Sequence, residues 1–318
     1  MEAGSIFLQQ LINGLSLGSI YALIALGYTM VYGIVKLINF AHGDVMMMGA
    51  YGGYFVLMLL GATVPGLVGA FIAAMVLCGL LAIVIERFAY RPLRSAPRLN
   101  SLITAIAVEL ILQNFMRVLP FVGPNPRQFP TMAIKNFDLH IISISNLQLI
   151  VILSSAVLML LLNFVVNYTK TGKAMQAVSY DLQAASLMGI NVNKIIAITF
   201  VIGSVLAGAG GVLYATAYPQ IEPTMGYIPG LKAFIAAVLG GIGSIPGAMA
   251  GGVILGIAET LTKGYLNSQF ADAISYSIFF DDLAQGSFAT WINICSVEII
   301  DAAVNSLQDF LFRFLHVD

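Results

Sequence analysis

Apolar positions in this chain run in long blocks separated by short polar, proline- or glycine-marked breaks, rather than at the period of two that half-buried strands show. Reading blocks against breakers predicts spans near residues 8–33, 44–61, 64–86, 101–121, 147–167 and 194–217. Each is long enough to cross a hydrocarbon core of about 30 Å as a helix. Two further apolar stretches, 229–242 and 246–262, are separated by Gly243, Ser244 and Ile245, and each is short for a full crossing. They form either a helical pair or a re-entrant hairpin. The pattern therefore predicts an all-α, polytopic membrane bundle of about eight transmembrane or re-entrant helices.

Composition narrows the class further. Of 318 residues, 59% are hydrophobic and 9% charged, against roughly 45–50% and about 25% in soluble domains. A soluble enzyme is excluded. There is no basic block of the kind that neutralises a phosphate backbone, so nucleic acid is not a partner. Cys78 and Cys295 have no Cys or His spacing for zinc or a disulfide framework, which leaves metal chemistry and cofactors unsupported. Charge also divides the chain: residues 1–270 carry a surplus of basic side chains, whereas 271–318 hold one Arg and 7 acids. A membrane-spanning unit over 1–270 is thus followed by a compositionally different acidic tail.

Loop charges set the expected orientation. Loops at 34–43, 87–100 and 168–194 hold 8 Lys and Arg together, and the alternate loops hold 3. By the positive-inside rule the amino terminus is outside, and Arg87, Arg91, Arg94 and Arg98 mark a cytoplasmic loop. The first positive charge is Lys36, so the amino end lacks the basic region of a cleaved signal peptide. The outer loop from Gly123 to Asn146 alternates apolar and polar residues over His140 to Ser145, a pattern that predicts a short hairpin. The inner loop from Tyr168 to Asn193 reads instead as an amphipathic helix, a docking element.

Several motifs bear on chemistry. Glycines recur at four-residue spacing, as in Gly14/Gly18, Gly49/Gly53 and Gly243/Gly247/Gly251, which are faces for close helix approach in lipid. The run Gly240, Gly241, Ile242, Gly243, Ser244, Ile245, Pro246, Gly247 predicts a helix broken at membrane depth, tolerated where it is buried or lines a cavity. It is no phosphate loop, because neither a preceding strand nor a following Lys-Ser/Thr is present. Gly14-Leu15-Ser16-Leu17-Gly18 matches a nucleophile elbow in letters only, since it lies inside a predicted helix. Glu109, Gln113 and Arg117, with Asn114 alongside, place a polar stripe on the fourth span. Such groups face a partner helix, the bundle interior or a water-filled path. His42 and Asp44 are two ligands without a third, and read as structural caps rather than a metal site.

A set of local sequences then resembles a known family. Asn13-Gly14 with Gly18-Ser19-Ile20-Tyr21-Ala22-Leu23, Asn39-Phe40-Ala41-His42-Gly43-Asp44, Glu86-Arg87 with Tyr90-Arg91-Pro92-Leu93-Arg94, Gly189-Ile190-Asn191, Lys232-Ala233-Phe234 and the 240–247 glycine run occur in order. Together they resemble the LivH-type permease subunit of branched-chain amino acid ABC importers. The resemblance implies a bacterial inner-membrane subunit paired with a second, related permease, two cytoplasmic ATP-binding subunits and a periplasmic amino-acid-binding protein. Gln183-Ala184-Ala185 followed by Gly189 is similar to the Glu-Ala-Ala-x-x-x-Gly coupling motif of such permeases, with Gln replacing Glu. There Lys173 and Asp181 supply polar rim contacts to an ATPase. The family's closing apolar span is replaced here by the eight-residue run Ala273 to Phe280, about 12 Å of helix, before Asp281 and Asp282. Beyond it, Val297, Ile300, Val304, Leu307, Leu311 and Phe314 mark an amphipathic surface helix.

The expected protein provides a path for an amino acid, with energy supplied by its partners. Glu109, Gln113, Asn114 and the glycine run are the expected path or helix-break residues. From a different class, an ATP-independent channel or secondary transporter for small polar solutes would carry ionisable groups deep in several spans. Only Glu109 reads as clearly mid-span, which argues against it.

Overall fold

The structure is a computed structural model that describes residues 2–36, 39–94, 96–139, 142–266, 270–273 and 275–277. The surface helix expected between Val297 and Phe314, and the end of the Ala273–Phe280 run, lie outside the described residues. Ten α-helices are described: α1 (Glu2–Val35), α2 (His42–Leu60), α3 (Val64–Ile85), α4 (Arg98–Val118), α5 (Asn146–Tyr168), α6 (Lys170–Tyr180), α7 (Leu182–Leu187), α8 (Val192–Ala217), α9 (Tyr227–Leu239) and α10 (Ile245–Tyr265). Seven of them, α1 to α5, α8 and α10, are long and apolar enough to cross a membrane. The eighth apolar segment, α9, has 13 residues, or about 20 Å of helix.

The polar breaks in the sequence become helix caps. Thr63, Thr169, Asn191 and Ser244 each accept a hydrogen bond from a backbone N–H three residues on, and Asp181 from those two and three residues on. Ser145 and Gln148 form a reciprocal capping box at α5. Each such cap stabilises its helix by about 1 kcal/mol and fixes where it begins. The expected single helix over 168–193 is consequently two. Asp181 adopts extended backbone at φ −151°, where α6 ends with its N–H on the Ala177 carbonyl, and its side chain caps α7.

The buried axis of the bundle is α1, packed against α10, α8, α9 and α5. Ala22 to Leu26 are all fully buried. Its contact with α10 is made through small residues: a Cβ on Gly18 would lie 2.7 Å from the Val253 Cα, and one on Gly256 would lie 2.3 Å from the Gly18 Cα. In lipid, where apolar burial gives helices no drive to associate, this backbone approach supplies the packing energy. Around that axis α2, α3 and α8 pack on one another. Val64, Val68, Ile72, Val76 and Leu80 form an exposed stripe along α3, and Leu153, Val157, Leu161 and Phe164 another along α5. Such stripes suit lipid.

Two small sheets close one end. β2 (Asn136–Leu139) and β3 (Ile142–Ser145) form the expected hairpin, with Asn136 opposite Ser145. β1 (Arg127–Gln128) pairs antiparallel with β4 (Gln220–Ile221), tying the 123–146 loop to the segment after α8. The first residues of the acidic tail also join the bundle, since Ala271 and Ser275 are buried.

Candidate functional site

Buried charge gathers in two places. The first lies between α9, α10 and the residues that follow them. Lys232 on α9 donates to Glu259 Oε1 on α10 at 2.8 Å and pairs with Asp272 Oδ1 at 2.7 Å. Lys263, one turn beyond Glu259, donates to the same Oε1 at 2.6 Å. The Tyr21 hydroxyl of α1 donates to Oε2 at 2.9 Å. A cavity of about 370 Å³ opens on this cluster, completed by Tyr214, Tyr218 and Ile228. Burial, with the nearby Glu259 carboxylate, raises the Tyr218 phenol above its ordinary range. Two acids and two bases meet where desolvation is costly, and full pairing is what makes the arrangement tolerable.

The second place is the start of α2. Because the chain returns after α1, His42 lies against Gly27 rather than at the end of α1, and its ring meets that of Tyr28 edge-on at 4.6 Å. Asp44 accepts from Gln113 Nε2 of α4 at 3.1 Å. Glu109 is partly buried, and lines a small cavity with Asp44, Tyr28 and Gly230. Gly226 and Gly230, at the start of α9, pack directly on the backbone of Gly43. The expectation that His42 and Asp44 act as caps is corrected here: α2 has Ala41 at its N-cap, with no side-chain cap bond. Asp44 is held by an interhelical hydrogen bond instead.

Asn114 is exposed and turns back on the Leu110 carbonyl of its own helix, and Arg117 is exposed as well. The glycine run is the turn between α9 and α10. Gly240 caps α9, Gly241 and Gly243 have φ of +84° and +102°, and the Ser244 Oγ accepts from Gly247 N at the start of α10, where Pro246 occupies the first turn. Gly243 packs near Gly33, two residues before α1 ends, and shares a cavity with Lys36 and Met175. The break therefore sits at the end of the bundle where α1 finishes, not at mid-depth, because α10 runs antiparallel to α1 from that end.

At the same end, α6 and α7 carry the other group. Asp181 Oδ1 accepts from the Gln183 and Ala184 amides. Gly189 has φ +85°, and its amide bonds the Ser186 carbonyl while that of Ile190 bonds Ala185. That paired arrangement ends a helix at a left-handed glycine. Lys173, Gln183 and Ala184 are exposed, whereas Ala185 is buried against the bundle. Tyr180, Leu187 and Met188 stand beside them with 83–90% of their surface exposed. At the start of α8, Arg94 bridges Glu86 and Asn193, and Tyr90 separately donates to Asn39. Burial draws the Arg94 guanidinium below its ordinary range, against the opposing pull of Glu86.

Sequence reasoning passed over Glu259, Lys263 and Asp272, and used Lys232 only as part of a motif. The signal was present: Lys232 is the lone charge in an apolar run, and Glu259 and Lys263 stand four apart at the end of another. With Asp44, Lys232 and Glu259 buried, the scarcity of ionisable groups in the spans does not hold.

A family model described as "Branched-chain amino acid transport system / permease component" matches residues 10–280. The high-affinity branched-chain amino acid transport system permease protein LivH of Salmonella typhimurium is 44% identical over 285 residues, covering 86% of this chain and 91% of its own. The corresponding protein BraD of Pseudomonas aeruginosa is 42% identical over 282 residues, with the same coverage. A probable LivH from Methanocaldococcus jannaschii is 30% identical over 260 residues, covering 79% of this chain and 80% of its own. No solved structure matches significantly.

Proposed function

The chain belongs to the branched-chain amino acid transport permease family, and from that membership we propose that it is the membrane-spanning path of an ABC importer. It receives leucine, isoleucine or valine from a periplasmic binding protein and releases it to the cytoplasm. A second permease subunit completes the path, and two ATP-binding subunits supply the energy by alternating access. The observation that carries this reading is identity of 42–44% with LivH and BraD over 86% of the chain.

In this reading the amino terminus and the β-sheet end are periplasmic, and α6, α7 and the α9–α10 turn are cytoplasmic, in a bacterial inner membrane. The excess of Lys and Arg in the loops at that end supports the orientation. Eight segments traverse or enter the bilayer, the 13-residue α9 being the incomplete one. Glu109, Gln113, Asn114 and the 240–247 turn are the proposed path or helix-break residues. Lys173, Asp181, Gln183, Ala184, Ala185 and Gly189 form the ATPase contact, with the buried Ala185 anchoring it and the exposed Gly189 turning the chain away. The exposed apolar Tyr180, Leu187 and Met188 support a docking role, since these side chains stand at the end of the bundle where the basic loops lie.

The family match, rather than any shortage of buried charge, favours an ATP-driven importer over an ATP-independent transporter. Purification of the chain from its native membrane tests it. Co-purification of two ATP-binding subunits, and leucine uptake that requires ATP and a binding protein, is the expected result. Uptake driven by an ion gradient without ATP would reverse it.

A further inference from the structure

Among the four charges at the 370 Å³ cavity, exposure separates two pairs. The side chains of Lys232 and Glu259 are 4% and 1% exposed, held in α9 and α10 and touching each other at 2.8 Å. Asp272 and Lys263 are 50% and 39% exposed. Each outer group answers one inner group: the Asp272 carboxylate sits on Lys232, and the Lys263 ammonium sits on Glu259. The outer pair thus brings one carboxylate and one ammonium, both lining the same cavity, to a fixed inner dipole. An α-amino acid carries those same two charges on a single carbon.

We propose that Lys232 and Glu259 form a zwitterion-binding site on the translocation path, Lys232 taking the α-carboxylate where Asp272 sits and Glu259 the α-ammonium where Lys263 sits. This rests on the importer reading and names residues for it. The inner pair is preorganised: Tyr21 fixes the far oxygen of Glu259 at 2.9 Å, so no buried group has to reorient. The outer pair is replaceable because Asp272 and Lys263 are half-exposed and can turn to solvent once an incoming charge takes their place on the buried inner pair. Exchange of Asp272 and Lys263 for a zwitterion keeps the site neutral and leaves neither inner charge unpaired. The remaining walls, Tyr214, Tyr218 and Ile228, offer rings and a methyl-bearing side chain to an aliphatic substituent. The volume falls in the range of about 300–1,000 Å³ typical of small-molecule sites.

The test uses the complex purified with its co-purifying subunits in lipid nanodiscs, free L-leucine as probe, and ligand-observed saturation-transfer NMR as readout. Wild type should show weak leucine binding that valine displaces. Isoamylamine and isocaproate, which each lack one of the two charges, should not displace it at equal concentration. Asp272→Asn removes the competing carboxylate and should tighten leucine binding about fivefold. Lys232→Met should abolish the signal and Lys232→Arg should retain it. Unchanged affinity in Asp272→Asn, displacement by either singly charged analogue, or a wild-type signal in an assembled Lys232→Met complex would overturn the proposal. If Lys232→Met fails to assemble, the Asp272→Asn and analogue measurements decide alone. Binding-protein-stimulated ATP hydrolysis, read on separate portions to which the binding protein is added only after the leucine measurement, separates the two readings. Hydrolysis without selective leucine binding rejects this site alone, and selective binding without hydrolysis rejects the importer reading alone.

Discussion

The hydrogen bond from Gln113 to Asp44 joins α4 to α2 through two side chains that are 9% and 1% exposed. Asp44 also lies near Glu109 in the cavity between α2, α4 and α9. Removing one partner of a buried bond leaves the other unsatisfied, whereas replacing both by apolar groups of similar shape is close to neutral. Gln113→Leu is therefore expected to cost about 1–3 kcal/mol, while Asp44→Leu with Gln113→Leu costs less than the sum of the two single changes. Thermal unfolding in detergent, run as a double-mutant cycle, checks this. Additive losses would mean that the two side chains act independently. Glycine positions give a second expectation at this scale. A Cβ on Gly211 would lie 2.1 Å from the Met46 carbonyl oxygen, a backbone atom that cannot swing away. Gly211→Leu should separate α8 from α2, with loss of folded protein on size exclusion, whereas exposed Gly4, with nothing within 4 Å, should accept the same change.

At the scale of elements, α7 combines an aspartate cap, a buried anchor at Ala185 and a left-handed exit at Gly189. The exposed Ala184, with Leu187 and Met188, is then free to meet a partner. Ala184→Arg places a long cation on that contact, and Gly189→Val puts a β-branched residue at φ +85°, a conformation costly for it. Both are expected to abolish ATP-driven uptake while the chain still inserts and still docks its binding protein. Uptake and binding-protein-stimulated ATP hydrolysis in reconstituted vesicles provide the check, and full activity in both would remove the coupling role. The elements also show why some features were legible in sequence and others were not. Blocks of apolar residues and their Thr, Ser, Asn and Asp breaks mark helix ends directly, because the cap is a local interaction among residues three apart. The hairpin after Pro130 and the glycine past α7 are local too. The Lys232–Glu259 pair spans 27 residues and the Gln113–Asp44 bond 69. Nothing within a window of one helix reports them. The stripe of Glu109, Gln113 and Arg117 illustrates the limit: two of its members face the bundle and the third does not, since neighbours, and not spacing alone, decide what a helix face meets.

For the whole molecule, orientation in the membrane sets the meaning of every site. The cluster of Lys232 and Glu259 is reached from the side on which α1 begins only if that side is the one where the binding protein delivers its cargo. The α6–α7 pair meets an ATPase only if its side is cytoplasmic. Both conditions hold in one orientation and fail together in the other. That orientation puts 8 loop Lys and Arg on the cytoplasmic side and 3 on the other, in keeping with the retention of basic loops during insertion. The structure supplies two exposed reporters at opposite ends: Asn125, in the loop before β1, and Ser186, on α7. With Cys78 and Cys295 replaced by Ser, a membrane-impermeant maleimide added to intact spheroplasts should label Asn125→Cys and spare Ser186→Cys, and lysis should expose the second. Cys78 is buried and has little reach to such a reagent, but its replacement removes the ambiguity. Labelling of Ser186→Cys in intact spheroplasts, with Asn125→Cys protected until lysis, would invert the bundle. It would then place the charged cavity on the ATPase side, where no binding protein can load it.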